Sequence, residues 1–74
     1  MSKKEKLLDK IRQNARNVSL EEFESLINTY GYIEQGSKHP KAIFGEITLP
    51  YKKENPVKLC YVLELIEIID RISK

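Results

Sequence analysis

One histidine stands in the whole 74-residue chain, in the polar run Gly36-Ser37-Lys38-His39-Pro40 between two apolar segments. Imidazole is the side chain whose ordinary pKa, roughly 6.5, lets it give and take protons near neutrality. Gly36 lets backbone come close to a ligand, Ser37 supplies a hydroxyl, and Lys38 and Lys41 flank the histidine with positive charge. The combination suits phosphate esters, where imidazole moves protons and ammonium groups stabilise charge developing on oxygen. The competing reading of the same residues is an exposed loop histidine with no chemical role.

Other constellations are weaker. Ser37 and His39 stand too close in sequence, and without an orienting acid, to form a hydrolytic triad. No glycine-rich loop followed by lysine and a hydroxyl residue supports nucleotide hydrolysis. Cys60 has no companions at zinc-ligand spacing, and its place in an apolar helix reads as a buried, inert thiol. No cofactor is expected. Tyr51, beside Lys52 and Lys53, has the pattern of an aromatic that stacks on a base next to cations that hold phosphate. Packing in the core is the alternative for it.

Thirteen basic against eleven acidic residues leave a net charge of +2, too small to announce nucleic-acid binding by itself. The distribution says more, because Lys38, Lys41, Lys52, Lys53 and Lys58 face only Glu46 and Glu54 in the middle of the chain. A mildly basic centre fits a phosphate-bearing ligand or an ordinary solvated face. The N-terminus has no secretory pattern, since Asp9, Lys10 and Arg12 break the apolar run. No apolar stretch of about 20 residues exists to span a membrane. A cytoplasmic protein is the expectation.

The elements that must position these residues follow from periodicity. Ser2-Lys3-Lys4-Glu5 has the form of a capping box opening a short helix, with Leu7, Leu8 and Ile11 at helical spacing. Ser19-Leu20-Glu21-Glu22 repeats the box, and Leu20, Phe23, Leu26, Ile27 and Tyr30 form a helical stripe that Gly31 ends as a left-handed stop. Tyr32-Ile33, Lys41 to Phe44 and Ile47 to Leu49 read as strands of a meander. Gly45-Glu46 joins the last two in a type II′ turn. Pro40 belongs at a strand start and Pro50 at a strand end. Asn55-Pro56 reads as a cap followed by proline at the first position of a helix running to Ile72.

Apolar residues of that last helix occupy well over half its circumference, more than one sheet can cover. The excess must meet the N-terminal helices or a partner chain. The expected fold is α+β, ordered ααβββα, with a three-stranded antiparallel sheet packed against helices. It forms one domain over residues 1–74, with residues 18–72 as core and residues 1–17 as an N-terminal helical extension.

From Ser19 to Asp70 the chain resembles the HicA-type toxins of bacterial and archaeal toxin–antitoxin systems. The likeness lies in the helix and turn Phe23 to Gly31, the Gly36-Ser37 loop with its histidine, the strand ending Ile47-Thr48-Leu49-Pro50 and Asn55-Pro56 before a closing helix. The resemblance implies a fold like double-stranded-RNA-binding domains and a ribosome-independent, metal-independent ribonuclease that cleaves mRNA. It also implies inhibition by a HicB-type antitoxin. The catalytic histidine carries over onto His39, with Gly36 and Ser37 matching the preceding loop. The pattern differs at Lys38, which separates the histidine from Gly-Ser, and on a strand a one-residue shift turns a side chain to the opposite face. RNA contacts are expected from Gly36, Ser37, Lys38, Lys41, Tyr51 and Lys52. The alternative is a non-catalytic RNA-binding or protein-interaction module that keeps the fold.

Overall fold

Two helices lie against one face of a three-stranded antiparallel sheet and a third packs on both of them in the computed structural model, which describes residues 3–36 and 38–73. The order is α1 (Lys3–Gln13), a 3-10 turn (Ala15–Asn17), α2 (Leu20–Tyr30), β1 (Tyr32–Glu34), β2 (Lys41–Phe44), β3 (Ile47–Pro50) and α3 (Leu59–Ile72). It is the order expected from the patterning, with the 3-10 turn added. Ser2, assigned as a helix cap, and Ser37, assigned as an RNA contact, lie outside the described residues.

The capping box at Ser19 is formed: Ser19 Oγ accepts from the Glu22 backbone N–H at 3.1 Å, and Glu22 Oε1 accepts from the Ser19 N–H at 3.3 Å. These bonds satisfy donors that an α-helix leaves without partners. Phe23, Leu26 and Ile27 turn to the core and are fully buried. Gly31 corrects an expectation, because its φ of −157° is not left-handed. Glycine is needed there for space: a Cβ would stand 2.1 Å from the Ile43 carbonyl oxygen.

The sheet order is β1-β2-β3. Phe44 faces Ile47, Ala42 faces Leu49 and Ile33 faces Ala42, so one face carries Ile33, Ala42, Phe44, Ile47 and Leu49 into the core. Gly45 has φ +66° while no other residue type among the described residues has positive φ, a combination that suits a type II′ turn and excludes type I′.

The last helix begins later than its sequence suggests. Asn55 and Pro56 precede it, joined by a cis peptide bond, and the cap position is Lys58. The Val57 N–H donates to the Val18 carbonyl at 2.9 Å and the Val57 side chain is buried, which holds this segment against the start of α2. Asn55 does cap a helix, but a different one: its Oδ1 accepts from Leu20 N–H in the first turn of α2 at 3.2 Å.

α3 buries Val62, Leu65 and Ile69 and packs against the 3-10 turn, α1, α2 and β3. Much of its wide apolar arc is therefore spent within the chain, on elements that include Ile11 of α1, itself 1% exposed. Ile11, within the segment read as an extension, thus belongs to the main core. Leu63 and Ile72 stay exposed. Cys60 is also exposed, which corrects its reading as a buried thiol: α3 points position 60 away from the core that positions 62, 65 and 69 enter.

Candidate functional site

The hairpin register brings the histidine loop to the segment after β3. Tyr51 N–H donates to the Pro40 carbonyl at 3.2 Å, one step beyond the paired strands. The next step outward sets Lys52 beside His39, and both line a cleft of about 400 Å³ between the loops. Lys38, Lys53 and Glu54 complete its charged lining, with Gln35 and Gly36 at the edge. His39 is exposed, as are the three lysines, and none of the lysines makes an ion pair with a described residue. Three unpaired cations around one imidazole produce a local positive field in a chain of nearly balanced charge.

Gly36 has a different role from the one its position suggests. A Cβ there would lie 2.6 Å from the His39 carbonyl oxygen, so what approaches this glycine is the loop's own backbone. The loop closes on itself and fixes the His39 main chain against Gly36. Lys38, the residue that departs from the HicA pattern, points into the same cleft as His39. Both neighbours therefore share one ligand space although they are adjacent in sequence, because this segment is loop rather than strand and the alternation of faces does not apply.

Two expected contacts do not line this first cleft. Lys41 lies in β2 opposite Glu34 and Pro50, exposed on the sheet face away from the helices. Tyr51 is 1% exposed, packs edge to face on Phe23 with ring centroids 5.0 Å apart, and donates from its hydroxyl to Glu24 Oε2 at 2.7 Å. A ring so enclosed has no free face for a base, which corrects its assignment as a stacking residue. Its parity explains the outcome: Tyr51 continues the inward alternation of Ile47 and Leu49.

A second cleft, about 600 Å³, opens between β3 and α3 and joins the first at His39 and Lys52. Thr48, Pro50 and the enclosed Tyr51 line its sheet side, and Tyr61, Glu64, Glu67, Ile68 and Arg71 its helix side. Lys53, named from the sequence only as a cation beside Tyr51, and Glu54 were not assigned to the site, and neither were these α3 residues. The first two were within reach: the two-residue turn at Gly45-Glu46 sets the register, which extended past Pro40 and Tyr51 sets the following residues beside the His39 loop. The α3 contribution carried no such local signal.

Among the described residues no group of three or more His, Cys, Asp or Glu is arranged to hold a metal ion. No helix among them is long and apolar enough to cross a membrane. Compared with protein-family profiles, with curated proteins and with solved structures, the chain gives no significant match.

Proposed function

We propose that the chain is an mRNA-cleaving endoribonuclease of the HicA toxin type, held inactive by a HicB-type antitoxin and acting in the cytoplasm on free mRNA. The observation that supports this reading most is the position of His39: exposed, at the junction of two clefts and ringed by Lys38, Lys52 and Lys53. The arrangement of a helix, three antiparallel strands and a closing helix, with the helices on one sheet face, agrees with a fold like that of double-stranded-RNA-binding domains.

The chemistry is transesterification. A ribose 2′-oxygen attacks the adjacent phosphorus, the bond from phosphorus to the 5′-oxygen breaks, and a 2′,3′-cyclic phosphate and a free 5′-hydroxyl result. One proton leaves the 2′-hydroxyl and one must reach the departing 5′-oxygen. His39 performs one of these transfers, and the Glu54 carboxylate, in the same cleft, is the general base available for the other. Tyr51, buried and bonded to Glu24, takes no part in these transfers. Lys38 and Lys52 stabilise charge on the non-bridging oxygens.

The test compares degradation of a labelled RNA by wild type and His39→Ala, matched for folding by circular dichroism. The expected result is loss of cleavage by at least a hundredfold, within the ~10²–10⁴ range of general acid–base catalysis. Equal cleavage by both proteins refutes the assignment. The unpaired lysines also favour a second reading, a module that binds RNA without cutting it, and salt-dependent binding with no cleavage products selects that one.

A further inference from the structure

We infer that the groove between β3 and α3 receives one unpaired base of the RNA strand whose phosphate lies at His39 and Lys52. This deepens the RNA reading above and rests on it.

Continuity is the first reason. His39 and Lys52 line both clefts, so a strand held by its phosphate between the loops has the groove as its immediate neighbour. A volume of about 600 Å³ lies within the roughly 300–1,000 Å³ common for small-ligand clefts.

The second reason is the free edge of β3. The Tyr51-to-Pro40 hydrogen bond fixes the alternation, so the hydrogen-bonded pairs are Pro40/Tyr51, Ala42/Leu49 and Phe44/Ile47. Thr48 lies between them, and its backbone N–H and C=O point away from β2 toward the open edge. The next outward position is Pro50, which has a carbonyl but no N–H. One donor and one acceptor side by side match the edge of a single base. An added peptide strand needs that pair repeated along a ladder, and Pro50 ends the repeat.

The helix wall supplies what a base face needs. Tyr61, Glu64 and Ile68 are spaced three and four residues apart and share one side of α3. The half-buried Tyr61 ring and the Ile68 side chain give apolar surface, the Glu64 carboxylate accepts from an exocyclic amino group, and Arg71 is paired with Glu67, which also lines the groove, at 3.5 Å. Tyr61 thus takes the stacking role for which Tyr51 has no free face.

The test is a titration of the isotope-labelled protein, followed by amide NMR, with ribonucleoside 5′-monophosphates carrying each base and with ribose 5-phosphate. Ribose 5-phosphate is expected to shift amides of Gly36, Lys38, His39 and residues 52–54 alone. At least one nucleotide is expected to shift Thr48, Tyr61, Glu64 and Ile68 as well, and to bind about tenfold tighter. Tyr61→Leu removes that gain and Tyr61→Phe keeps it; the wild-type comparison stands even if Tyr61→Leu does not fold. Shifts confined to the loops, with equal affinity for every probe, overturn the base pocket and leave the phosphate site standing. Loops that respond to no probe overturn the RNA reading and this inference together. A strand-forming peptide that moves Thr48 where nucleotides do not overturns it in favour of a protein ligand.

Discussion

The Tyr51 hydroxyl is held between a buried ring and a carboxylate, and both push its pKa upward: burial first, then the hydrogen bond and charge of Glu24. Unfolded tyrosine ionises near pH 10, whereas folded Tyr51 keeps its proton beyond that. Its contribution to stability is therefore complete below about pH 10 and is lost as pH rises past it. Urea unfolding of wild type is expected to show a falling midpoint above that pH. Tyr51→Phe is expected to flatten the fall and to cost about 1 kcal/mol at neutral pH, from the lost hydrogen bond. Lys52 belongs to the other side of the same segment, exposed beside His39. Lys52→Ala is expected to weaken RNA binding and to reduce the slope of log affinity against log salt by about 0.7, as for one lost phosphate contact on a single strand.

At the scale of elements, two glycines do unlike work. Gly31 joins α2 to β1 where the Ile43 carbonyl and the Phe44 ring leave no room for a methyl group. Gly45 has open space around it but a φ of +66°. Gly31→Ala is expected to destabilise the fold by about 2–3 kcal/mol, since β2 must move away from the chain. Gly45→Ala is expected to cost about 1 kcal/mol, for backbone conformation alone. Denaturant titration of both variants checks the order. α1 and α2 are also clamped at the surface by Lys10 and Glu22, 2.7 Å apart. Hydrogen bonding from Lys10 and from the Ser19 N–H holds the Glu22 carboxyl below its ordinary range, so this clamp acts above the carboxylate range and is lost as pH falls through it.

For the whole molecule, the N-terminal helix is part of the core. Ile11 is buried among core residues, and Arg12 pairs with Asp70 of α3. Ile11→Ala is expected to destabilise by about 2–4 kcal/mol, the range for a large-to-small change in a closed core, and urea unfolding reads it directly. In a chain this short such a loss is a large part of the total margin. The His39 site depends on that margin, because its two clefts are walled by β3, α3 and two loops whose positions the core sets.

Local rules carry the sequence far on its own. The Ser19 capping box, the apolar stripe of α2, the Gly45-Glu46 turn and the alternation of the strands are decided by neighbours a few residues apart, and each is seen in the fold. The solitary histidine in a lysine-bearing loop is equally plain in the sequence. Tertiary structure decided what distant segments do to one another. Asn55 caps α2 rather than its own helix, because Leu20 N–H lies within reach only when the chain has folded back. Tyr51 enters the core instead of meeting a ligand, because its place on the ladder faces Phe23 and Glu24. Tyr61 and Glu64 join the site because α3 packs beside the free edge of β3. Periodicity fixes which face of an element is apolar, while which partner meets that face is set by packing between residues far apart in the chain.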